Sequence, residues 1–291
     1  MQQGRQQICE GFTGPGSRFD NDVIMCFQCL GDGFSHANLR RPVLVVRKAL
    51  LENSTRPEEI AHYESVYIIG RLVECFGMIT IAPEFKGAAR LGLLEMRDVR
   101  VSETPAPLKD ELNQLAADFA VKYGDVALGE IPTVQQIRGI FHRSGLDPTR
   151  YRPSSESLLR RAVKGKGLYF INSVVDLINY YSLKMLCPMG LYDASKLAAP
   201  IQWRIGQSGE TYEGIGRDIL NLANFPLLSD ANGPFGSPIS DSMRTRVTEE
   251  CTHILWIVFA PPATEIPLDE FAAAMTRTNG GAVSISTQFD V

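Results

Sequence analysis

The apolar residues of this chain change their spacing near Met78, and the regular patterns lie beyond that point. Before it, apolar patches such as Val43–Val46 and Val66–Ile69 alternate with glycine-rich pieces and follow neither the helical nor the strand period. From Met78 onward, segments of both periods follow one another. We therefore predict one domain over residues 78–291, and we interpret residues 1–77 as an uncertain extension that is poorly ordered or reflects an over-long start.

Five segments repeat apolar residues at the spacing of one helix face. The first places Leu108, Leu112, Leu115 and Phe119 on one stripe after Pro107. The second is predicted to start at the cap Thr133, to bury Val134, Ile137 and Phe141, and to end at Ser144–Gly145. The third is predicted to start at the cap Ser154 or Ser155 and to end at Gly165. The fourth is predicted to start near Asn172 and to be closed by Pro188, with a turn after it, and the last to span Leu268–Thr276.

Other segments are rich in β-branched and alternating apolar residues, which is typical of strands. The predicted strands are Met78–Ala82, Leu91–Val101, Ile201–Ile205, Ile219–Leu222, Pro226–Leu228, His253–Phe259 and a last one near Val283–Ser286.

Composition places the chain among soluble globular proteins, with 44% hydrophobic and 21% charged residues. The longest apolar run, Ile254–Ala260, is far below the ~20 residues of a membrane span and predicts a buried strand instead. No secretory signal is visible near Arg5 and Arg18, so we expect a cytoplasmic protein. The net charge of −4 indicates that any RNA contact would use a local basic face, and DNA is not an expected partner.

Such a basic face is predicted between Arg138 and Lys166, where eight Lys or Arg residues accompany only Asp147 and Glu156. This charge pattern suits a phosphate backbone. The RNA-binding candidates are Arg150, Arg152, Arg160, Arg161, Lys164 and Lys166. The alternative is a solvated helix face with ion pairs, and Tyr151 is the only aromatic residue that we expect to stack beside these charges.

The sequence contains few signs of independent catalytic chemistry. Cys26 and Cys29 have the spacing of a zinc ligand pair, but the further ligands are irregularly placed, so no metal site is expected. No glycine-rich segment matches a dinucleotide or phosphate loop, and no cofactor is expected. His142 and His253 are interpreted as structural or surface residues, and the catalytic residues stay unknown.

Several motifs in one order resemble the B3/B4 domain of the phenylalanyl-tRNA synthetase β subunit, in its stand-alone form. They lie between about Met78 and Val291 and are densest from Pro148 to Trp256. The motifs are Asp147–Glu156, Gly167–Asn172, Val174–Asn179, Cys187–Asp193, Trp203–Arg204, Gly209–Gly214, Leu228–Asp230, Gly233–Gly236, Asp241–Arg244 and Val247–Thr252. The resemblance implies an α+β fold of mixed layered sheets packed with helices.

The same resemblance implies a pocket that hydrolyses wrongly attached tyrosine in the synthetase. It makes Asn179 the best-supported pocket residue, with Gly190, Glu210, Asp193 and Arg204 as further candidates for substrate binding. Asp230, Arg244 and Arg246 are of the same kind, and loop-fixing ion pairs are the alternative for all these charged residues. The chain departs from the synthetase pattern at Gly190, where that domain carries a histidine, and at Ile178, which replaces a threonine.

Two functions follow. The first is a tRNA-associated protein that binds RNA or aminoacyl-tRNA, with trans-acting deacylation as its catalytic form. The alternative is a binding module for a small amino-acid-like molecule without RNA. Ligation of phenylalanine to tRNA is excluded as an independent activity, because nothing resembles an ATP-binding synthetase core.

Overall fold

The computed structural model describes residues 79–291, together with the backbone of two short strands, Met25–Cys26 (β1) and Val43–Leu44 (β2). The chain divides into two units, Met1–Gly70 and Arg71–Val291. In the first unit, β1 pairs antiparallel with β2. The predicted domain boundary at residue 78 stays a prediction.

Residues 79–291 combine five α-helices with ten strands. The helices are Ala106–Tyr123 (α1), Pro132–Arg143 (α2), Ser154–Val163 (α3), Ser173–Met185 (α4) and Leu268–Asn279 (α5). The strands are Thr80–Ile81 (β3), Arg90–Arg97 (β4), Met189–Asp193 (β5), Gln202–Ile205 (β6), Thr211–Glu213 (β7), Ile219–Asn221 (β8), Pro226–Asp230 (β9), Gly233–Gly236 (β10), His253–Ala260 (β11) and Ala282–Asp290 (β12).

Two four-stranded sheets form the framework of this unit. The order in one is β12-β4-β11-β5, entirely antiparallel; in the other it is β10-β9-β6-β3, where only β3 and β6 run parallel. A separate hairpin joins β7 and β8. The predicted α+β class with layered sheets and helices is therefore confirmed.

Strand β11 lies at the centre of the first sheet, and its buried side chains pack on both faces. Toward the helices, Trp256 stacks on Phe271 of α5 with ring centroids 4.7 Å apart, and Tyr181 of α4 packs beside both. Toward the second sheet, Phe259 contacts Trp203 of β6 at 5.6 Å. The resulting layers are helices, sheet and sheet, as a strand with two covered faces requires.

A second apolar cluster joins helices α1 to α4 at one side of the domain. Its members include Leu112, Leu128, Val134, Leu159 and Leu183. The predicted apolar faces of α1, α2 and α3 contribute Leu112, Val134 and Leu159 to this cluster. Among the described residues, no helix has the length and hydropathy needed to cross a membrane.

Helix starts differ from the predicted caps in two places. Neither Thr133 nor Ser154 caps its helix, because α2 and α3 each follow residues, Ile131 and Pro153, that make no side-chain cap hydrogen bond. Helix α4 starts beside Asn172 as predicted, and Asn172 caps it, with its side-chain oxygen accepting from the N–H groups of Val174 and Val175.

The region after α4 corrects a further prediction. The helix ends at Met185, and Leu186 adopts a left-handed conformation with φ of 57° before Pro188 is reached. The predicted turn after Pro188 is instead β5, an edge strand of the first sheet whose five residues are all buried.

Candidate functional site

A cavity of about 180 Å³ lies between α3 and α4, partly open to solvent. Its apolar lining consists of Leu158, Ile178, Met189 and Ile239. Its polar lining consists of Ser154, Ser157, Ser182, Asn179, Arg161 and Arg217. For scale, an engineered cavity of about 150 Å³ binds benzene. The space therefore suits one amino-acid-sized group rather than a whole nucleotide.

The lining follows from helix periodicity. Ser154, Ser157, Leu158 and Arg161 are spaced i, i+3, i+4 and i+7, so they share one face of α3. Helix α4 contributes Ile178, Asn179 and Ser182 from its facing side, and its start is fixed by the Asn172 cap. The family-like segments around α3 and α4 thus meet at one cavity.

The serines differ in what they offer to a ligand. Ser157 donates to the carbonyl of Pro153 at 3.2 Å, and Ser182 donates to that of Cys187 at 2.8 Å. The hydroxyl oxygen of Ser154 is buried without a hydrogen-bond partner. Because buried polar atoms are nearly always paired, this hydroxyl is a candidate contact for a bound group.

Asn179 stands beside a buried carboxylate, Asp176. That carboxylate accepts hydrogen bonds from Thr104 and from the N–H of Ile171, at 3.0 and 3.1 Å for the latter. Burial raises the pKa of Asp176, and hydrogen bonds from Thr104, Ile171 and Asn179 oppose the rise. An amide has two N–H donors and one carbonyl acceptor, so Asn179 keeps capacity for a ligand after this contact.

Two arginines, Arg161 and Arg217, add positive charge to the cavity. The guanidinium of Arg161 is oriented by carbonyl acceptors of Lys166 and Gly167 and by the Tyr169 hydroxyl. Within residues 79–291 neither arginine forms a salt bridge, and none of the lining residues is acidic. The site therefore favours a neutral polar or anionic group.

Of the five residues predicted to bind substrate, only Asn179 lines this cavity. Gly190 lies in β5 and points to the opposite face: a Cβ there would stand 2.0 Å from the hydroxyl oxygen of Tyr192. The glycine thus makes room for the buried Tyr192 side chain, and the neighbouring residue Met189 lines the cavity instead.

The charged candidates other than Arg246 form ion pairs that hold loops, which is the alternative given above. Arg204 and Glu210 make a bidentate pair at 2.7 and 2.8 Å, and the Arg204 hydrogen bond lowers the pKa of Glu210. Asp193 accepts from Ser195 and pairs with Lys196 at 3.0 Å. Asp230 pairs with Arg244 in the same way.

The basic segment separates into paired and unpaired residues. Glu156, only 1% exposed, is contacted by Arg138, Arg160 and Arg152 at 2.8, 2.9 and 3.4 Å. Burial alone would raise the pKa of Glu156, but hydrogen bonds from Arg138 and Arg160 outweigh it and lower the pKa. Arg152 and Arg160 therefore stabilise α3, in addition to any contact with RNA.

The remaining RNA-binding candidates are Arg150, Arg161, Lys164 and Lys166. All but Arg161 are exposed, and none of the four belongs to a salt bridge among the described residues. Tyr151, the expected stacking residue, is half-buried and packs edge-on against Phe225 at 5.1 Å. Its position makes it a poor platform for a base.

Two aromatic residues that the sequence reasoning missed lie beside these charges. Tyr169 is 67% exposed and Phe170 is 39% exposed, in the connection between α3 and α4. The guanidinium of Arg161 lies 3.9 Å from the Tyr169 ring centroid. The signal available in the sequence was the apolar run Leu168–Ile171 next to Lys164 and Lys166.

The histidines and cysteines form no catalytic group in the described part of the chain. His253 contacts the buried Glu95 at 2.6 Å, and His142 is exposed at the end of α2. Residues 79–291 contain no cluster of three or more potential metal ligands. Whether Cys26 and Cys29 bind a metal is not tested, because Cys29 lies outside the described residues.

Comparison with known proteins confirms the resemblance. Residues 136–269 match the family model of the B3/4 domain, and every residue that lines the cavity falls within that range. The uncharacterised protein YhzB of Bacillus subtilis is 24% identical over 168 residues, which is 58% of this chain and 74% of YhzB.

Phenylalanine–tRNA ligase β subunits are related to the same region. Those of Paramagnetospirillum magneticum and Thermobifida fusca are 24% and 26% identical over 163 residues, and the matched parts are 18% and 19% of those subunits. A solved N-terminal fragment of the phenylalanyl-tRNA synthetase β subunit from Pyrococcus horikoshii overlays 72% of this chain and 53% of its own, with 15% identity and a TM-score of 0.38. The region is thus similar to a domain associated with a tRNA synthetase, and the chain spans under a fifth of those two subunits.

Proposed function

We propose that this chain is a tRNA-associated protein that binds the aminoacylated end of a tRNA, with the amino-acid group in the cavity beside Asn179. The observation that carries the proposal is the cavity itself, because it lies in the family-matched region and is sized for one such group. Arg161 lines it, and the exposed Lys164 and Lys166 follow in the same segment of the chain, so that these unpaired charges suit a phosphate backbone.

The contacts of such a complex follow from the lining. The amide of Asn179 and the hydroxyl of Ser154 offer hydrogen bonds to the ester and ribose oxygens, while Leu158, Ile178 and Met189 surround the side chain. Arg161 and Arg217 are the candidates for a terminal phosphate.

Deacylation is the finer part of the proposal. Among the described residues no histidine or carboxylate lines the cavity, so a base for a nucleophile is not at hand there. Any hydrolysis would depend on positioning and on hydrogen bonds to the ester, which by themselves supply part of a rate enhancement.

The test is a tRNA-binding and deacylation series on the full chain. We expect salt-sensitive binding of aminoacylated tRNA that weakens by about tenfold in Asn179→Leu, whose side chain has similar size but no polar atoms. Release of amino acid from a panel of mischarged tRNAs would support the deacylase role. Binding that is absent in 50 mM salt would overturn the whole proposal, and binding without release would overturn only its catalytic half.

A second candidate is a binding module for a free amino-acid-like molecule. It is favoured by the charge of the cavity: a free carboxylate matches Arg161 and Arg217, whereas an ammonium group meets no acidic side chain in the lining. A thermal-shift screen with free amino and keto acids tests it, because a ligand of the native state raises the melting temperature. A null screen together with good tRNA binding would exclude this candidate.

A further inference from the structure

We propose that Tyr169 and Phe170 form a stacking platform for the unpaired bases of an RNA 3′ end, next to the cavity. The inference rests on the proposed function and deepens it, since it names the residues along which the RNA 3′ end reaches the cavity. We call residues Gly167–Ile171 the aromatic loop.

Exposure is the first argument. Tyr169, Phe170 and Ile171 are 67%, 39% and 62% exposed, which makes three large apolar side chains in a row on the surface of a domain whose other aromatic rings are mostly packed. Single exposed apolar residues are ordinary, but a contiguous group of this kind marks an interaction site.

The aromatic loop is also held in place at both ends. Leu168 is buried against α1 and α4, and Arg161 donates to the carbonyls of Lys166 and Gly167. At the other end, the N–H of Ile171 donates to the buried Asp176. A loop fixed at both ends loses little conformational entropy when it binds a partner.

Charge decides the kind of partner. The unpaired Arg161 guanidinium lies 3.9 Å from the Tyr169 centroid. The Lys109 ammonium lies 5.9 Å from the centroid of Phe170, although it also pairs with the exposed Glu103 at 3.0 Å. Lys164 and Lys166 are exposed on the approach, and the sequence has no acidic residue between Glu156 and Asp176. Aromatic rings beside unpaired cations are the combination that binds single-stranded nucleic acid, through base stacking and phosphate contact together.

The platform is connected to the cavity through Arg161, which indicates the direction in which the RNA 3′ end would run. Arg161 contacts the Tyr169 hydroxyl at 3.1 Å and also lines the cavity. One side chain therefore joins the platform to the site that receives the terminal group. A base stacked on Tyr169 would therefore adjoin the arginine that lines the cavity.

The test compares an intact tRNA transcript with the same transcript trimmed of its unpaired 3′ nucleotides. Full-length wild-type protein should bind the intact form more tightly. Tyr169→Ala should lower affinity for the intact form by about 5- to 100-fold and leave affinity for the trimmed form unchanged. Tyr169→Phe is the matched control: it keeps the ring and loses only the hydroxyl that accepts from Arg161, so it should retain most of the wild-type affinity.

The outcomes separate the two proposals. If the wild type binds neither transcript, the proposed function fails. If the wild type prefers the intact transcript and Tyr169→Ala shows the same affinity ratio between the two transcripts, the platform is wrong while the proposed function stands. The platform is also wrong if Tyr169→Ala weakens binding of both transcripts equally, because Tyr169 would then contact another part of the RNA. It is wrong as well if Tyr169→Ala abolishes a self-association of the protein measured by light scattering. A thermal melt of each variant checks its folding, and we expect wild-type melting temperatures because Tyr169 is mostly solvent-exposed.

Discussion

The hydroxyl of Tyr192 lies 2.8 Å from a carboxylate oxygen of Asp241, and this hydrogen bond connects edge strand β5 to the segment that follows β10. The other carboxylate oxygen accepts from the N–H of Leu191 at 3.3 Å. Among residues 79–291 no basic side chain contributes to this arrangement, and burial raises the pKa of Asp241 to about 7. The connection is therefore compatible with a protonated acid.

Stability should consequently fall as the pH rises through this range. The folded pKa of about 7 lies above the unfolded value of about 3.9, so the folded state binds the proton more tightly. The contribution of protonated Asp241 to the free energy of unfolding is fully present below about pH 4. It is lost between pH 4 and 7, by at most about 1.4 kcal/mol per pH unit. Denaturant unfolding at pH 5 and pH 8 measures it, with Asp241→Asn as the variant that cannot ionise. Equal differences in the free energy of unfolding between the two proteins at both pH values would contradict the account.

A side chain at position 190 should destabilise the fold. In Gly190→Ala the new Cβ would stand 2.0 Å from the Tyr192 hydroxyl oxygen and 2.6 Å from the ring carbon that bears it. Since Tyr192 is fully buried, we expect a loss of about 1–3 kcal/mol or more in the free energy of unfolding. Gly139→Ala in α2 is the control, because no atom lies within 4 Å of its Cβ and alanine favours a helix. A Gly190→Ala protein as stable as the wild type would refute this packing.

Glu156 should contribute more to stability than an exposed glutamate does, because it is the shared partner of three arginines. Glu156→Gln leaves Arg138, Arg152 and Arg160 close together without their carboxylate. Removing one partner of a buried ion pair typically costs about 3–5 kcal/mol. Glu111→Gln, an exposed site on α1, should change stability by less than about 0.5 kcal/mol. Equal melting temperatures for the two variants would show that the cluster is not structural.

The unpaired basic residues should instead determine the salt dependence of RNA binding. Lys164→Met is expected to reduce the slope of log affinity against log salt by roughly 0.7 to 0.9, the change for one phosphate contact. Arg277→Met, on α5, removes the same charge elsewhere and should leave the slope unchanged. Filter binding at several salt concentrations measures both slopes, and identical slopes for all three proteins would place the RNA on another surface.

The helices were readable from the sequence because their burial is one-sided. Val134, Ile137 and Phe141 are buried on α2 as the periodicity predicted, and Leu108 and Leu112 are buried on α1. Strand β5 was missed because Met189–Asp193 is short and buried on both faces, so it lacks the alternation of a half-exposed strand. A turn was predicted after Pro188 instead, and Gly190 in this strand serves to accommodate Tyr192.

The site was predictable only in part. Asn179 was found through the family resemblance, and it lines the cavity. Sequence alone cannot show that Arg204 and Glu210, or Arg160 and Glu156, are paired in space, so their charges looked available. Tyr169 and Phe170 were missed because apolar residues before a helix are usually buried, and their exposure depends on how the loop is anchored.

The most direct test of the account is calorimetric titration of the full chain with an aminoacyl-adenosine analogue in which a stable amide replaces the ester. Binding should be saturable in the wild type, at least tenfold weaker in Asn179→Leu, and unchanged in Asn113→Leu, the same substitution at an exposed site on α1. Equal affinity in the two variants, or no heat of binding in the wild type, would contradict the claim that the cavity receives an aminoacyl group.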